Sequence, residues 1–171
     1  MKLVVVDVES DGPIPGDYSM IAFAAVIVTP KLDLTFQAKL KPISDKFFPE
    51  SLAISGFSRE ETSRFSDPIG VMLEFEKWIL ENASAKPVFI SDNNGYDWMF
   101  VCWYFWKFLD RNPFGYSSRR ISDLVCGMEK NLYAPWKHRR KTLATHNPLD
   151  DAKGNAEVLL DLASNGVKGI L

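Results

Sequence analysis

The residues most capable of chemistry are acids placed where a predicted strand ends. Asp7 and Glu9 lie two positions apart after the β-branched run 3–8. Because side chains on a strand alternate between faces, both carboxylates project from the same face. Two such carboxylates repel each other when buried without a compensating cation, and oxygen ligands of this kind suit Mg²⁺ or Mn²⁺ better than zinc. The alternative is that the strand simply ends here and both acids face water.

Further candidates lie at two later junctions of the chain. Asp97 follows a predicted strand at the start of an aromatic helix, where an acid is also favoured by the helix dipole alone. His146 lies in a loop before a helix predicted to begin near Asp150, and Asp151 follows within its first turn. Imidazole exchanges protons near neutral pH, although a single histidine is more often structural. Asp150 is interpreted as a residue that starts the helix, rather than as a further ligand.

The elements that must position these residues begin with a sheet. The apolar runs 3–8, 20–28 and 34–40 are separated by turn-forming residues and predict three antiparallel strands. Residues 49–61 are loop-like with short helical stretches, and a further strand is predicted over 86–91.

Helical patterns dominate the rest of the chain. Asp67 and Pro68 predict the N-cap and first residue of an amphipathic helix. Its predicted apolar face includes Ile69, Leu73, Phe75, Trp78, Ile79 and Leu80. Helices are also predicted over 96–109 and 150–163, and either an edge strand or a short helix over 121–126. This order predicts an α/β fold in which helices pack against a mixed sheet.

Composition limits the classes of protein that this chain could represent. Its 171 residues suit one domain, 1–171, with a sizeable core, since 46% of the residues are hydrophobic. Twenty Lys and Arg residues against 22 Asp and Glu residues give a formal charge of −2, which excludes binding of polyanions by bulk charge. Two cysteines without CxxC spacing predict free thiols. With no stretch of about 18 apolar residues and no signal peptide, we expect a cytoplasmic protein without a membrane partner.

Together these motifs resemble a known enzyme family. The motif residues are Asp7-Val8-Glu9-Ser10-Asp11-Gly12-Pro13, Asp97 after Asn94-Gly95-Tyr96, and His146 followed after four residues by Asp151-Ala152. They resemble the DEDDh branch of the 3′–5′ exonucleases, which have a DnaQ-like, ribonuclease H-like fold. Within that branch the chain is most similar to ribonuclease T and small bacterial or phage exoribonucleases, and residues 49–57 resemble the linker after their third strand.

The resemblance implies a mechanism and a site. Two Mg²⁺ or Mn²⁺ ions would be held by Asp7, Glu9, Asp97 and Asp151, with Asp7 shared between them, and His146 would be the general base. The implied activity is hydrolysis of single-stranded RNA from the 3′ end to nucleoside 5′-monophosphates. Two alternatives are a 3′–5′ DNA exonuclease of the proofreading or repair type and a non-catalytic module that binds nucleic acid.

Substrate contacts are predicted beside this site. Backbone groups of Ser10 and Asp11 could reach the terminal 3′ hydroxyl, and Met20, Phe23 and Phe57 could contact a base, although Phe23 also suits the core. The basic run beside Trp136 could clamp the phosphates of the entering strand, the alternative being a solvated loop. The residues of this run proposed to bind substrate are Lys137, Arg139, Arg140 and Lys141.

The aromatic helix suggests an interface. Residues 98–109 are apolar on nearly every side, so one face should cover the sheet and another needs a different cover. A homodimer would supply that cover. The alternative is burial within the same chain, under residues 111–116 and the basic loop.

Overall fold

The computed structural model describes residues 1–83 and 86–171, which form a five-stranded mixed sheet with helices on both faces. The strands are β1 (Lys2–Ser10), β2 (Met20–Ile27), β3 (Thr35–Lys39), β4 (Pro87–Ser91) and β5 (Ser118–Arg120). The helices are α1 (Pro49–Ser55), α2 (Arg59–Thr62), α3 (Pro68–Asn82), α4 (Asn94–Leu109), α5 (Ile121–Glu129) and α6 (Pro148–Ser164), with a 3₁₀ turn at Lys137–Arg139.

The sheet has the strand order β3-β2-β1-β4-β5. Strands β1 and β2 pair antiparallel, as do β2 and β3, whereas β4 runs parallel to both β1 and β5. This arrangement confirms the predicted meander and mixed α/β fold. Strand β1 is central, and its valines are buried because helices cover both faces of the sheet.

The two faces of β1 belong to different halves of the core. Val4, Val6 and Val8 pack into the cluster that contains residues of α3 and α4, whereas Val5 packs into the cluster that contains residues of α5 and α6. Because side chains alternate along the strand, Asp7 and Glu9 lie on the same face as Val5. The sequence of β1 therefore directs its two acids toward α6.

The structure decides between the two alternatives for residues 121–126 and corrects the start of the last helix. Residues 121–126 are helical, and the edge strand β5 ends immediately before them. Helix α6 begins at Pro148 rather than near Asp150, because the Asn147 side chain accepts the Leu149 amide at 3.0 Å and caps the helix.

The predicted apolar face of α3 was partly wrong. Ile69, Leu73 and Leu80 are exposed, whereas the buried side of the helix is formed by Pro68, Val71, Met72, Phe75 and Ile79. These buried residues follow the spacing i, i+3, i+4, i+7 and i+11, so the packed stripe is rotated around the helix from the predicted one.

The aromatic helix α4 is covered from within the chain. Phe105 packs against Phe75 of α3 at a ring-centroid distance of 5.6 Å and against Phe114 at 6.2 Å. Phe114 also contacts Trp98, at 6.4 Å. The segment after α4 thus supplies the cover that the within-chain alternative required, and the homodimer remains a prediction.

Two smaller expectations concern the thiols and the membrane. Cys102 and Cys126 are free. Within residues 1–83 and 86–171, no helix is long and apolar enough to cross a membrane.

Candidate active site

A cavity of about 340 Å³ lies at the carboxyl end of β1 and brings together all five residues that the motifs singled out. They come from separate parts of the chain, namely Asp7 and Glu9 from β1, Asp97 from α4, His146 from the loop before α6, and Asp151 from α6. The predicted convergence of acids and histidine is therefore present in the folded chain.

The topology explains why Asp97 meets the acids of β1. Strand β4 runs parallel to β1, so α4 starts beside the carboxyl end of β1. Asp97 lies in the first turn of α4, where the helix dipole favours an acid. Its Oδ1 accepts the backbone amide of Val8 at 3.2 Å, which ties α4 to the strand between Asp7 and Glu9.

Asp151 is held through both of its carboxylate oxygens. Oδ2 accepts the backbone amide of His146 at 3.0 Å, and Oδ1 accepts Nη2 of Arg140 at 2.9 Å. His146 has a φ of 56°, a left-handed conformation that is uncommon for residues other than glycine. The bend directs the chain back onto Asp151 and leaves His146 exposed at the mouth of the cavity.

The carboxylates are electrostatically crowded. Burial, followed by the repulsion of Asp97, Asp151 and Glu9, raises the pKa of Asp7 well above its ordinary value, and Arg140 partly opposes that rise. Burial raises the pKa of Glu9 to about 7, with a further contribution from Asp151. Burial also raises the pKa of Asp97 to about 7 against the stabilising Val8 amide. Acids with raised pKa values that converge in one cleft are typical of functional sites.

The residues present fit a divalent cation. The cavity offers carboxylate oxygens, which are hard ligands of the kind that Mg²⁺ and Mn²⁺ prefer. The buried Asn155 Oδ1 also borders the cavity and has no hydrogen-bond partner. Among the described residues, no three Asp, Glu, His or Cys side chains are already arranged to hold one ion. Binding would therefore require these side chains to adjust.

A second cavity, of about 580 Å³, lies on the other side of His146. Phe23 and Phe57 line it, together with Gln37 and Lys39 of β3. The Lys39 ammonium lies 4.5 Å from the ring centroid of the half-buried Phe57. His146 thus borders both the acid cavity and a larger space that has an aromatic wall.

The structure corrects one of the proposed base contacts and supports the core alternative for another. Met20 is fully buried in the core, so its side chain cannot stack on a base in this conformation. Phe23 is 1% exposed and packs against Phe36 and Phe75, so its ring serves the core although it borders the second cavity. Phe57 is the remaining aromatic candidate.

Asp11 has a structural role. Its amide donates to the Ser19 carbonyl at 3.0 Å and its carbonyl accepts the Phe48 amide at 2.8 Å, so the predicted backbone contact with a 3′ hydroxyl is not available. Its carboxylate is fully buried and pairs with Arg59 at 2.8 Å. The Ser10 hydroxyl, in turn, hydrogen-bonds the Tyr96 hydroxyl.

The basic run does not form one phosphate clamp. Lys137 pairs with Asp92 at 2.8 Å at the acid cavity, whereas Arg139 is directed away from it, toward Asp161 at 2.7 Å and Glu129 at 3.3 Å. Lys141 is exposed, and its backbone amide binds Glu157. Only Lys137 and Arg140 of this run line the acid cavity, the latter through its contact with Asp151.

Sequence reasoning missed Asn155 of the acid cavity, and it assigned Arg140 to phosphate binding rather than to its contact with Asp151. Asn155 lies four residues after Asp151 and therefore on the same side of α6, a spacing that could have revealed it. The pairing of Arg140 with Asp151 depends on how the loop before α6 folds back, and no local pattern reports that.

The mixed sheet, with a carboxylate cavity at the end of its central strand, defines the class as an α/β protein of the ribonuclease H-like exonuclease fold. The comparison with curated proteins then gives a specific relative. The chain is 34% identical to the 3′–5′ DNA exonuclease Cap18 of Escherichia coli over 182 aligned positions, which cover 96% of this chain and 94% of that protein. The chain therefore belongs to the DEDDh-type 3′–5′ exonucleases, and it is a 3′–5′ exonuclease acting on nucleic acid.

Solved structures agree on the fold. Exonuclease I of E. coli, in a zinc-bound complex with single-stranded DNA, superposes with a TM-score of 0.74 at 15% identity, covering 96% of this chain and 41% of that one. Cell-death related nuclease 4 superposes with a TM-score of 0.77 at 15% identity, covering 98% of this chain and 65% of that one. The chain thus spans less than two thirds of these larger structures. No protein-family model matches the sequence.

Proposed function

We propose that this exonuclease removes nucleotides from the 3′ ends of single-stranded nucleic acid and releases nucleoside 5′-monophosphates with the help of two divalent metal ions. The observation that carries the proposal is the convergence of four carboxylates and His146 in one cavity. In a protein that only bound nucleic acid, clustered negative charge would repel the phosphate groups and weaken binding.

The acids would hold the metal ions. Asp7, Glu9, Asp97 and Asp151 are the residues assigned to this role, with Asn155 as a neutral oxygen beside them. Bound divalent ions supply charge neutralisation at the phosphate and Lewis acidity toward water and the leaving oxygen. The crowding that raises the pKa values of Asp7, Glu9 and Asp97 is relieved when cations enter, so the strained carboxylates favour metal binding.

His146 is assigned as the general base. It is exposed at the mouth of the acid cavity, and its backbone is fixed to Asp151 while its side chain lies between the two cavities. From there the imidazole would take a proton from the attacking water, and the water oxygen would bond to phosphorus as the P–O3′ bond breaks. The leaving O3′ would take up a proton, so the shortened strand would keep a 3′ hydroxyl. The larger cavity beside it would accommodate an adjacent nucleotide, with Phe57 against the base.

We favour single-stranded DNA as the substrate. The curated relative is named a DNA exonuclease, and exonuclease I, which shares this fold, was solved with single-stranded DNA. The resemblance of the motifs to ribonuclease T favours RNA instead, so an exoribonuclease is the second candidate. The two differ only in contacts to the ribose 2′ hydroxyl, because the phosphodiester chemistry is the same.

A single assay tests these assignments. Single-stranded DNA and RNA of one sequence, each labelled at the 5′ end, would be incubated with Mg²⁺, Mn²⁺ or EDTA and resolved at single-nucleotide resolution. We expect a ladder that shortens from the 3′ end only with metal, and faster with DNA. Faster trimming of RNA would reverse the substrate preference, and the absence of products from both polymers would support a binding module.

Variants link the assay to the site. Asp7→Ala should abolish trimming, and His146→Gln should lower kcat by about 10²–10⁴-fold while Mn²⁺ binding persists. Glu74→Gln, at an exposed position of α3, is the matched control and should trim like the unaltered protein. Trimming that survives Asp7→Ala would refute the assigned site.

A further inference from the structure

A buried arginine lies among the acids of the candidate active site. The Arg140 side chain is 7% exposed and lines the same cavity as Asp7, Glu9, Asp97 and Asp151. Its Nη2 donates to the Asp151 carboxylate at 2.9 Å and to the Asp151 main-chain carbonyl at 2.7 Å. A buried guanidinium keeps its charge under all ordinary conditions, so the cavity contains a permanent cation.

A glycine in α6 leaves space for the side chain of this arginine. Gly154 is buried in the interior of α6, where glycine destabilises a helix by about 1 kcal/mol relative to alanine. A Cβ at this position would lie 2.5 Å from Arg140 Nε and 2.8 Å from the Thr142 carbonyl oxygen. Glycine therefore lets the guanidinium lie directly against α6, one turn from Asp151.

The position of Arg140 beside α6 fixes the orientation of the Asp151 carboxylate. The contact with the Asp151 carbonyl anchors Arg140 to the helix backbone, which does not depend on the carboxylate rotamer. Arg140 donates a hydrogen bond to Oδ1 of Asp151, and the His146 amide donates one to Oδ2. Rotation of the carboxylate would therefore break the hydrogen bonds at both oxygens. Each carboxylate oxygen still has a second lone-pair site, which remains available to a metal ion.

We propose that Arg140 is a positioning residue of the metal centre, one that orients Asp151 for its ion and keeps one positive charge in the loaded site. The inference rests on the proposed function. The four carboxylates assigned to the metal ions and two divalent ions balance to zero, and Lys137 and Asp92, which also line the cavity, pair with each other. Arg140 therefore leaves one net positive charge to meet the single negative charge of a phosphodiester.

A competing role would give the opposite result. If Arg140 merely occupied the place of a metal ion, its removal would strengthen metal binding because a repelling charge would be lost. If it positions Asp151, its removal weakens binding, since loss of a partner that orients a ligand typically lowers metal affinity by about 10–100-fold. Two observations favour the second role, namely the hydrogen bond from Arg140 to the Asp151 main-chain carbonyl and the space for Arg140 beside Gly154.

The test is calorimetric titration of the full-length protein with Mn²⁺ alone, followed by trimming of single-stranded DNA across Mn²⁺ concentrations. Arg140→Gln should weaken Mn²⁺ binding by about 10–100-fold and shift the Mn²⁺ dependence of trimming to the same extent. Arg140→Lys keeps the charge without the planar fork and should weaken binding less than Arg140→Gln does. Gly154→Ala displaces the arginine and should weaken binding while Arg140 itself is retained. The matched control is Arg111→Gln, because Arg111 is an exposed arginine that also pairs with an acid, Glu76, and neither residue lines the acid cavity. Its Mn²⁺ affinity should stay within about twofold of the unaltered protein.

The outcomes separate this inference from the proposed function. If the unaltered protein neither binds Mn²⁺ nor trims DNA, the proposed function fails and the inference fails with it. If the unaltered protein does both, unchanged or tighter Mn²⁺ binding by Arg140→Gln overturns the positioning role alone. Thermal unfolding shows whether each variant is folded. If Arg140→Gln or Gly154→Ala does not fold, Arg140→Lys takes its place, and unchanged or tighter Mn²⁺ binding by Arg140→Lys overturns the positioning role.

Discussion

Replacing Glu9 with glutamine should stabilise the metal-free protein at pH 8 and weaken its response to Mn²⁺. Glu9 lies on β1 beside three other carboxylates, and its pKa is raised from 4.5 to about 7, first by burial and then by Asp151. The folded state therefore holds the Glu9 proton more tightly than the unfolded state does. Glutamine has the same shape and stays uncharged, so the substitution removes this ionisation without leaving a cavity.

The sign and size follow from the two pKa values. Below pH 4.5 the Glu9 carboxyl group is protonated in both the folded and the unfolded state. As pH rises from 4.5 to about 7, the unfolded state releases the proton first, so the free energy of unfolding falls over this range. The full rise in pKa corresponds to about 3 kcal/mol, at about 1.4 kcal/mol per pKa unit. Because the side chain is partly exposed and solvent screens it, we expect the glutamine variant to gain about 1–2 kcal/mol at pH 8.

Urea unfolding in EDTA at pH 5 and pH 8 measures this effect. The gain should be present at pH 8 and largely absent at pH 5, where the folded unaltered protein already carries the proton. Added Mn²⁺ should stabilise the unaltered protein at pH 8 more than it stabilises Glu9→Gln. Glu74→Gln, on the exposed side of α3, should show neither effect. A variant no more stable than the unaltered protein at pH 8, or equally stabilised at both pH values, would refute the electrostatic reasoning.

Three other substitutions probe the surroundings of the site. Arg59→Ala removes the positive charge that pairs with the fully buried carboxylate of Asp11 and should lower the free energy of unfolding by about 3 kcal/mol in urea titrations. Phe57→Ala should weaken binding of single-stranded DNA by about 1–3 kcal/mol in fluorescence anisotropy with inactive protein, and unchanged affinity would remove Phe57 from the nucleotide path. Gly12→Ala places a methyl group against the Tyr18 ring and should cost about 1–3 kcal/mol, visible as a lower thermal midpoint.

The sequence was most informative where local rules decide the structure. Alternation along β1 placed Asp7 and Glu9 on one face, and the capping pattern of Asp67 and Pro68 located the start of α3. These two conclusions depend on period and capping, which can be read from short stretches of chain. That Asp97 and Asp151 would join the same site was implied by the resemblance to the DEDDh exonucleases and by no local rule.

Predictions failed where the outcome depends on contacts distant in sequence. The position of Met20 at the start of β2 predicts a contact with a base, but β2 lies inside the sheet with both faces covered, so the whole strand is buried. The basic run similarly looks uniform in sequence. Its side chains separate because Arg139 meets Asp161 while Arg140 turns to Asp151, and both partners lie on α6, three helical turns apart. Which acid pairs with which arginine is set by the path of the preceding loop.

The site also gives the formal charge of the chain a physical meaning. If the four carboxylates assigned to the metal ions are set aside, the remaining 18 acids are outnumbered by 20 Lys and Arg residues. Negative charge is therefore concentrated where phosphate must approach, and it is offset there by the Val8 amide on Asp97 and by Arg140 on Asp151. These contacts compensate only part of the repulsion, since the pKa values of Asp7, Glu9 and Asp97 remain raised. Under the proposed function, divalent cations would relieve the remaining repulsion, and their charge would turn the cavity from one that repels nucleic acid into one that attracts it.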